Sequence, residues 1–156
     1  MKLPFGDGTF DIVINEAMLT MLNTAAKEKA VREYYRVLKP GGLLLTHDIT
    51  FTKEHMNELL IELRETIHVQ VEPLPVPRWE ELFHGVGFAK VTHESGDMSL
   101  MKLSGLIRDE GIWGTLRILK NGLKKENFPQ FKKMYSFFNT SGKDLQYIAV
   151  CSRKSD

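Results

Sequence analysis

Two adjacent residues near the end of an apolar run, His47 and Asp48, place an imidazole that titrates near neutrality beside a carboxylate. That pairing suits a general base acting on an acceptor that must lose a proton. The competing expectation is a histidine satisfied within a core strand. Glu16 follows another apolar run and is a candidate ligand contact, its alternative being a solvated acid at a helix start. The histidines His47, His55, His68, His84 and His93 show no close spacing with one another or with Cys151, so no metal site is expected. Cys151 is expected to be an inert thiol packed on the last strand. Between Arg117 and Lys143, seven basic residues stand against the single acid Glu126 and alternate with Phe128, Phe131, Tyr135, Phe137 and Phe138. Such a mixture could hold phosphates and stack bases. The spacing of Phe131, Met134, Tyr135 and Phe138 instead matches a helix core stripe with solvated lysines opposite, which argues against nucleic acid.

These groups need a scaffold, and the pattern supplies an alternation of strands and helices. Residues 10–15 (Phe-Asp-Ile-Val-Ile-Asn) form a short β-branched run after Gly6-Asp7-Gly8, suited to a strand buried in a parallel sheet. Residues 27–38 carry Ala30, Val31, Tyr34, Tyr35 and Leu38 at helical spacing and stop at Lys39-Pro40-Gly41-Gly42. Leu43, Leu44, Leu45, Thr46, His47, Asp48 and Ile49 then read as a second strand, completing a strand–helix–strand unit with a right-handed crossover. Met56, Leu59, Leu60, Leu63 and Ile67 mark an amphipathic helix expected to cover the sheet. Pro73, Pro75 and Pro77 predict an extended connector, followed by a short helix over 79–84 closed by Gly85-Val86-Gly87-Phe88. Strands are expected over 89–94 and 145–152, the latter after the turn Ser141-Gly142-Lys143-Asp144. The stretch between them reads as a helical cap inserted over about 98–138, rich in methionine and aromatics, within a single domain spanning 1–156.

Composition narrows the classes of function. The chain has 156 residues, 42% hydrophobic and 26% charged, which suits one ordinary core and excludes disorder. A net charge of +1 does not argue for a phosphate-backbone partner. One cysteine cannot make an intrachain disulfide, no secretory leader opens the sequence, and no apolar stretch approaches the roughly 20 residues that span a bilayer. A cytoplasmic protein without a membrane partner is expected.

Three stretches together resemble the carboxyl-terminal part of a class I S-adenosylmethionine-dependent methyltransferase of the small-molecule type. Leu3-Pro4-Phe5-Gly6-Asp7-Gly8-Thr9-Phe10-Asp11-Ile12-Val13 is similar to the segment that runs from the adenine side of the cofactor into the family's fourth strand. Glu33-Tyr34-Tyr35-Arg36-Val37-Leu38-Lys39-Pro40-Gly41-Gly42 is similar to the helix end and turn into its fifth strand. Trp79-Glu80-Glu81-Leu82-Phe83 with Gly87-Phe88 resembles the entry to its sixth. The resemblance implies an α/β fold with a partial Rossmann-like sheet, mostly parallel, its last strand antiparallel, and a helical insertion before that strand. It implies S-adenosylmethionine as cofactor, contacted by Asn15, Glu16 and Ala17, with Pro4 and Phe5 near the adenine. His47 and Asp48 would face a small-molecule methyl acceptor, since ligands bind outside the carboxyl ends of strands in open α/β sheets. The Arg36 to Gly42 stretch is read as a helix terminator, and Asp11 as a structural acceptor for backbone amides or Arg36.

No G-x-G-x-G pattern follows a strand anywhere in the chain, so the family's usual cofactor grip is not in it. The chain therefore reads as one part of a larger or split methyltransferase, lacking the amino-terminal glycine-loop segment. The alternative is a non-catalytic remnant or interaction module that does not hold the cofactor alone. In either case the outer edge of the 10–15 strand would be unpaired, and an exposed apolar edge invites association. Self-association or docking of a separately made amino-terminal half is the expected outcome.

Overall fold

The chain is described by a computed structural model covering residues 2–51, 57–98, 103–140 and 144–156. Met56, His55, the turn residues 141–143 and positions 99–102 of the expected cap lie outside the described residues. The elements are β1 (Phe10–Glu16), α1 (Thr24–Val37), β2 (Leu38–Phe51), α2 (Asn57–Ile67), α3 (Val76–Val86), β3 (Lys90–Asp97), α4 (Leu103–Gly122), α5 (Phe128–Asn139) and β4 (Leu145–Arg153). They fall into two compact units: Met1–Thr52 with Gln70–Gly96 and Gln146–Asp156, and Lys53–Val69 with Asp97–Leu145.

The first unit holds a sheet of order β1-β2-β4-β3. β1 and β2 are parallel. β4 runs against both its neighbours: the N–H of Lys154, at its end, donates to Gly42 O at the start of β2 (3.0 Å), and Arg153 O accepts from Ala89 N–H, just before β3 (2.9 Å). This is the mixed α/β sheet, mostly parallel with an antiparallel last strand, that the resemblance implies.

One face of the sheet packs under α1 and α3. Ala30 and Val31 of α1, Trp79 and Phe83 of α3, Leu44, Ile148 and Val150 of the strands and Phe88 make one fully or nearly fully buried cluster. Trp79 also donates from Nε1 to Ile49 O (3.2 Å), so the largest core side chain has its polar atom paired. α1 starts at Asn23, whose side chain accepts from Ala26 N–H (2.9 Å). Its last carbonyls are covered by Lys154, which donates to Tyr35 O and Leu38 O at 2.8 and 2.7 Å. α3 begins earlier than the apolar spacing suggests, because Pro75 is the N-cap and Pro77 sits in the first turn, where a missing N–H costs nothing.

The Lys39-Pro40-Gly41-Gly42 stretch is a bulged entry into β2 rather than a separate turn. Phe10 pairs with Leu38 but Ile12 with Leu43, so the intervening β2 residues are looped out. Gly41 takes φ +72°. At Gly42 a Cβ would lie 2.9 Å from Lys39 O and 3.1 Å from Asp11 O, both backbone atoms that cannot swing aside. In the second unit, α2 finds its partner in α5: Gln130 donates to Thr66 O (2.5 Å) and Lys133 to Glu65 O (2.8 Å). α4 bends at Gly111, whose φ of 69° and ψ of 173° are not helical.

Replacing Gly42 by alanine is expected to lower the unfolding free energy by about 1–3 kcal/mol, read as a shift of the urea midpoint at unchanged slope.

Candidate functional site

In an open α/β sheet the chemistry gathers where strands end, and here the register decides which side chains meet there. Asn15 pairs with Thr46 and Glu16 with His47 across β1 and β2. The chain then reverses at Ala17, which adopts φ +51° and donates its N–H to His47 O (2.8 Å). Asn15 thus meets Thr46 on the covered face of the sheet, and Glu16 meets His47 on the open face, beside the turn at Ala17.

His47 and Asp48 are not brought together. Consecutive strand residues point to opposite faces, and the burial follows: His47 is exposed, Asp48 buried. Asp48 accepts from Thr20 N–H (3.1 Å) and Ile49 N–H (2.9 Å), pinning the loop that follows β1. The expected imidazole–carboxylate pair is therefore replaced by another. His47 Nδ1 lies 3.9 Å from Glu16 Oε1 on the open face, an ion pair only when the ring is protonated. The His47 ring also lies 5.9 Å from that of Tyr147 on β4. Tyr147 in turn lies close against Gly96 of β3, where an added Cβ would come within 2.8 Å of the ring.

That open face is mixed, its apolar side chains set among His47, Thr92, His93 and Glu94. Ile14 is 73% exposed, and Ile14, Leu45, His47, Ala149 and Cys151 line a shallow depression of about 480 Å³. Cys151 is half-buried there rather than packed in the interior.

On the helix-covered side, Lys27 is fully buried and donates to Leu22 O. Burial pushes its pKa down, opposed by the charges of Glu72 and Asp48. Tyr34 donates to Asn15 Oδ1 (3.2 Å), its phenol pKa raised by burial and then by Asp48. Sequence reasoning passed over Lys27, although its position one turn before Ala30 and Val31 on the apolar stripe marks a lysine in a core site. The buried Asn15 Nδ2, Thr20 Oγ1 and Thr46 Oγ1 have no hydrogen-bond partner among the described residues. Three unspent polar groups at one end of β1 and β2 suit a polar ligand or bound water.

Pro4 and Phe5 stand elsewhere. Arg36 donates to Phe5 O (2.9 Å), Asp7 (2.7 Å), Leu3 O (3.3 Å) and Glu33 (2.8 Å), tying residues 3–7 to the carboxyl end of α1. Phe5 packs edge-on against Phe10 at 4.9 Å. They flank the start of β1, while Asn15, Glu16 and Ala17 lie at its other end, roughly 20 Å away for a seven-residue strand. The five expected cofactor contacts therefore form two separate groups. Asp11 pairs with Lys39 (2.8 Å), not with Arg36, and this hydrogen bond holds its carboxyl pKa down. Among the described residues no three His, Cys, Asp or Glu side chains gather to hold a metal ion.

Residues 1–46 match a family described as a methyltransferase domain. The chain is similar to a phosphoethanolamine N-methyltransferase of Haemonchus contortus solved with phosphomonomethylethanolamine and S-adenosylhomocysteine. The TM-score is 0.72 at 17% identity, over 97% of this chain and 35% of that one. The fold is the one that methyltransferases use. An uncharacterised protein of Haemophilus influenzae is 52% identical over 99% of this chain and 61% of its own length. A ubiquinone/menaquinone biosynthesis C-methyltransferase of Cellvibrio japonicus is 41% identical over 46% of this chain and 26% of its own length. The chain thus spans under two thirds of the length of these relatives. The family match covers under a third of the chain, and the structural likeness shows the shared fold.

Two outcomes test the site. Asp48→Ala is expected to cost about 2–4 kcal/mol, because two backbone donors lose their acceptor and the buried Lys27 loses a nearby opposite charge, whereas His47→Ala should stay within about 0.5 kcal/mol; urea midpoints of both variants measure the difference. Hydrogen bonds from Arg36, then Leu3 N–H, hold the Glu33 carboxyl at about 2 against an ordinary 4.5. A depressed carboxylate contributes stability that is full above its unfolded value and lost on acidification through its folded value. Unfolding free energy should therefore fall from pH 4.5 toward pH 2, and Glu33→Gln should flatten that part of a pH-resolved denaturation series.

Proposed function

We propose that this chain is one part of an S-adenosylmethionine-dependent methyltransferase acting on a small molecule. The observation that carries this reading is the conjunction of the methyltransferase-domain match over residues 1–46 with the cluster of unspent polar groups and Glu16 at the carboxyl ends of β1 and β2. Asn15 offers an amide donor and Thr20 and Thr46 offer hydroxyls on the covered face, while Glu16 offers an exposed carboxylate on the open face, so a zwitterionic cofactor would straddle the strand ends. The cofactor, when bound, supplies an electrophilic methyl group, and proximity and orientation carry most of such a transfer. His47 is the proton acceptor on the acceptor side, steadied by Glu16 and Tyr147; Asp48 positions the loop that carries the cofactor contacts. Pro4 and Phe5, held by Arg36 through the Phe5 carbonyl at the opposite end of β1, anchor the start of that strand and leave the adenine to other residues.

The rest of the cofactor grip comes from further polypeptide, joined to this chain or made separately, that pairs with the outer edge of β1. Its support is the open row beside Ile12 and Ile14, exposed β-branched side chains on an edge strand, together with the unmatched length of the Haemophilus influenzae relative. The work takes place in the cytoplasm.

Calorimetric titration with S-adenosylhomocysteine decides the matter. The chain alone should bind weakly or not at all. A mixture with the part of the Haemophilus influenzae relative that it does not match should bind in the micromolar range, and light scattering should show the complex. Ile14→Lys should weaken that association by at least about tenfold. A complex that forms but takes no cofactor would point to a non-catalytic interaction module, and tight binding by the lone chain would refute the need for a partner.

A further inference from the structure

The second half of α4 carries an unpartnered surface whose chemistry selects a partner. Helical geometry resumes after the bend at Gly111. Its inner arc is spent within its own unit: Thr115 and Gly122 are buried, and the Phe131 ring of α5 packs directly on Gly122. At about 100° per residue, Ile112, Leu116 and Leu123 fall within about 40° of one another on the adjoining arc, about 90° round from Thr115 and Gly122. They are 64%, 51% and 64% exposed, and the N–H of Leu123 still bonds Leu119 O (2.9 Å), so the stripe is continuous to the helix end. On the next arc stand Trp113, Arg117 and Lys120, within about 60° of one another. Trp113 is 83% exposed. Lys124 and Lys125 follow in the turn, and no acidic residue lies between Gly111 and Lys125. Arg117, Lys120, Lys124 and Lys125 have no ion-pair partner among the described residues.

We propose that this face of α4 docks on the surface of an anionic phospholipid bilayer. Aliphatic side chains in one arc, an amphipathic indole at its border and a cationic flank are what a helix lying in a headgroup layer requires. Lysine and arginine match the sign of the lipid surface, while Ile112, Leu116 and Leu123 enter the acyl boundary. Nucleic acid would use the cations and Trp113 but has no use for three exposed aliphatic chains. No described helix is long and apolar enough to cross the membrane, so the contact is superficial. It departs from the expectation of no membrane partner, which rested on the lack of a spanning segment, and it does not depend on the methyl-transfer reading.

The test is co-sedimentation of the full chain with vesicles of phosphatidylcholine alone or with about 30% phosphatidylglycerol, with tryptophan emission recorded in parallel. Trp79 is buried in the core, so a blue shift on binding reports Trp113 and should vanish in Trp113→Phe. Binding should favour the anionic vesicles and weaken with salt. The triple variant Arg117→Glu, Lys120→Glu, Lys124→Glu should lose at least about tenfold in affinity. Ile112→Ser with Leu116→Ser, which leaves every charge in place, should abolish the blue shift. Absence of binding to anionic vesicles, equal binding to both compositions without salt dependence, or retardation of single-stranded RNA in place of vesicle binding would overturn the proposal. So would a concentration-dependent dimer that buries Trp113.

Discussion

The register between β1 and β2 governs everything at the candidate site. Because strand side chains alternate, a slip of β1 by one residue would turn Asn15 outward and Glu16 inward, away from His47. The bulge at Lys39 to Gly42 fixes that register from the far end, where Phe10 meets Leu38 and the chain then skips to match Ile12 with Leu43. Glycine at 42 is what lets two backbones approach there. A segment that looks like a helix terminator therefore also sets which chemistry appears at the other end of the strand.

The second constraint is electrostatic. A fully buried lysine on α1 and a buried aspartate at the end of β2 share one region with Glu72, Tyr34 and Asn15. Buried charges persist when each has a counter-charge and hydrogen bonds. Here those bonds go to the backbone of one loop: Lys27 to Leu22 O, Asp48 from Thr20 N–H, with Glu72 N–H donating to Thr20 O. The polarity of this interior is thus spent on shaping the chain after β1, which is where cofactor-facing residues are expected.

Much of the scaffold was legible in the residues. The β-branched run at 10–15 and the apolar run from Leu43 became adjacent parallel strands, and Gly87 closed its helix in the left-handed conformation. The three prolines predict an extended connector, but Pro75 at the cap and Pro77 in the first turn begin α3 instead. The site was less legible. Adjacency in sequence suggested that His47 and Asp48 act together, yet adjacency in a strand separates side chains. Family resemblance supplied Pro4 and Phe5 as companions of Asn15 but carried no distance. Lys27 went unnoticed because lysine is expected outside, even though its spacing put it on the buried stripe.

The packing of Tyr147 against Gly96 has a mechanical corollary. β3 is the outermost strand on one side of the sheet, and its glycine gives the phenol ring room beside His47. Any side chain at 96 would crowd that ring, which stands 5.9 Å from the imidazole. The posture of the imidazole is thereby answerable to a hydrogen atom at the rim, and drift at that rim would retune the centre without altering one residue of it.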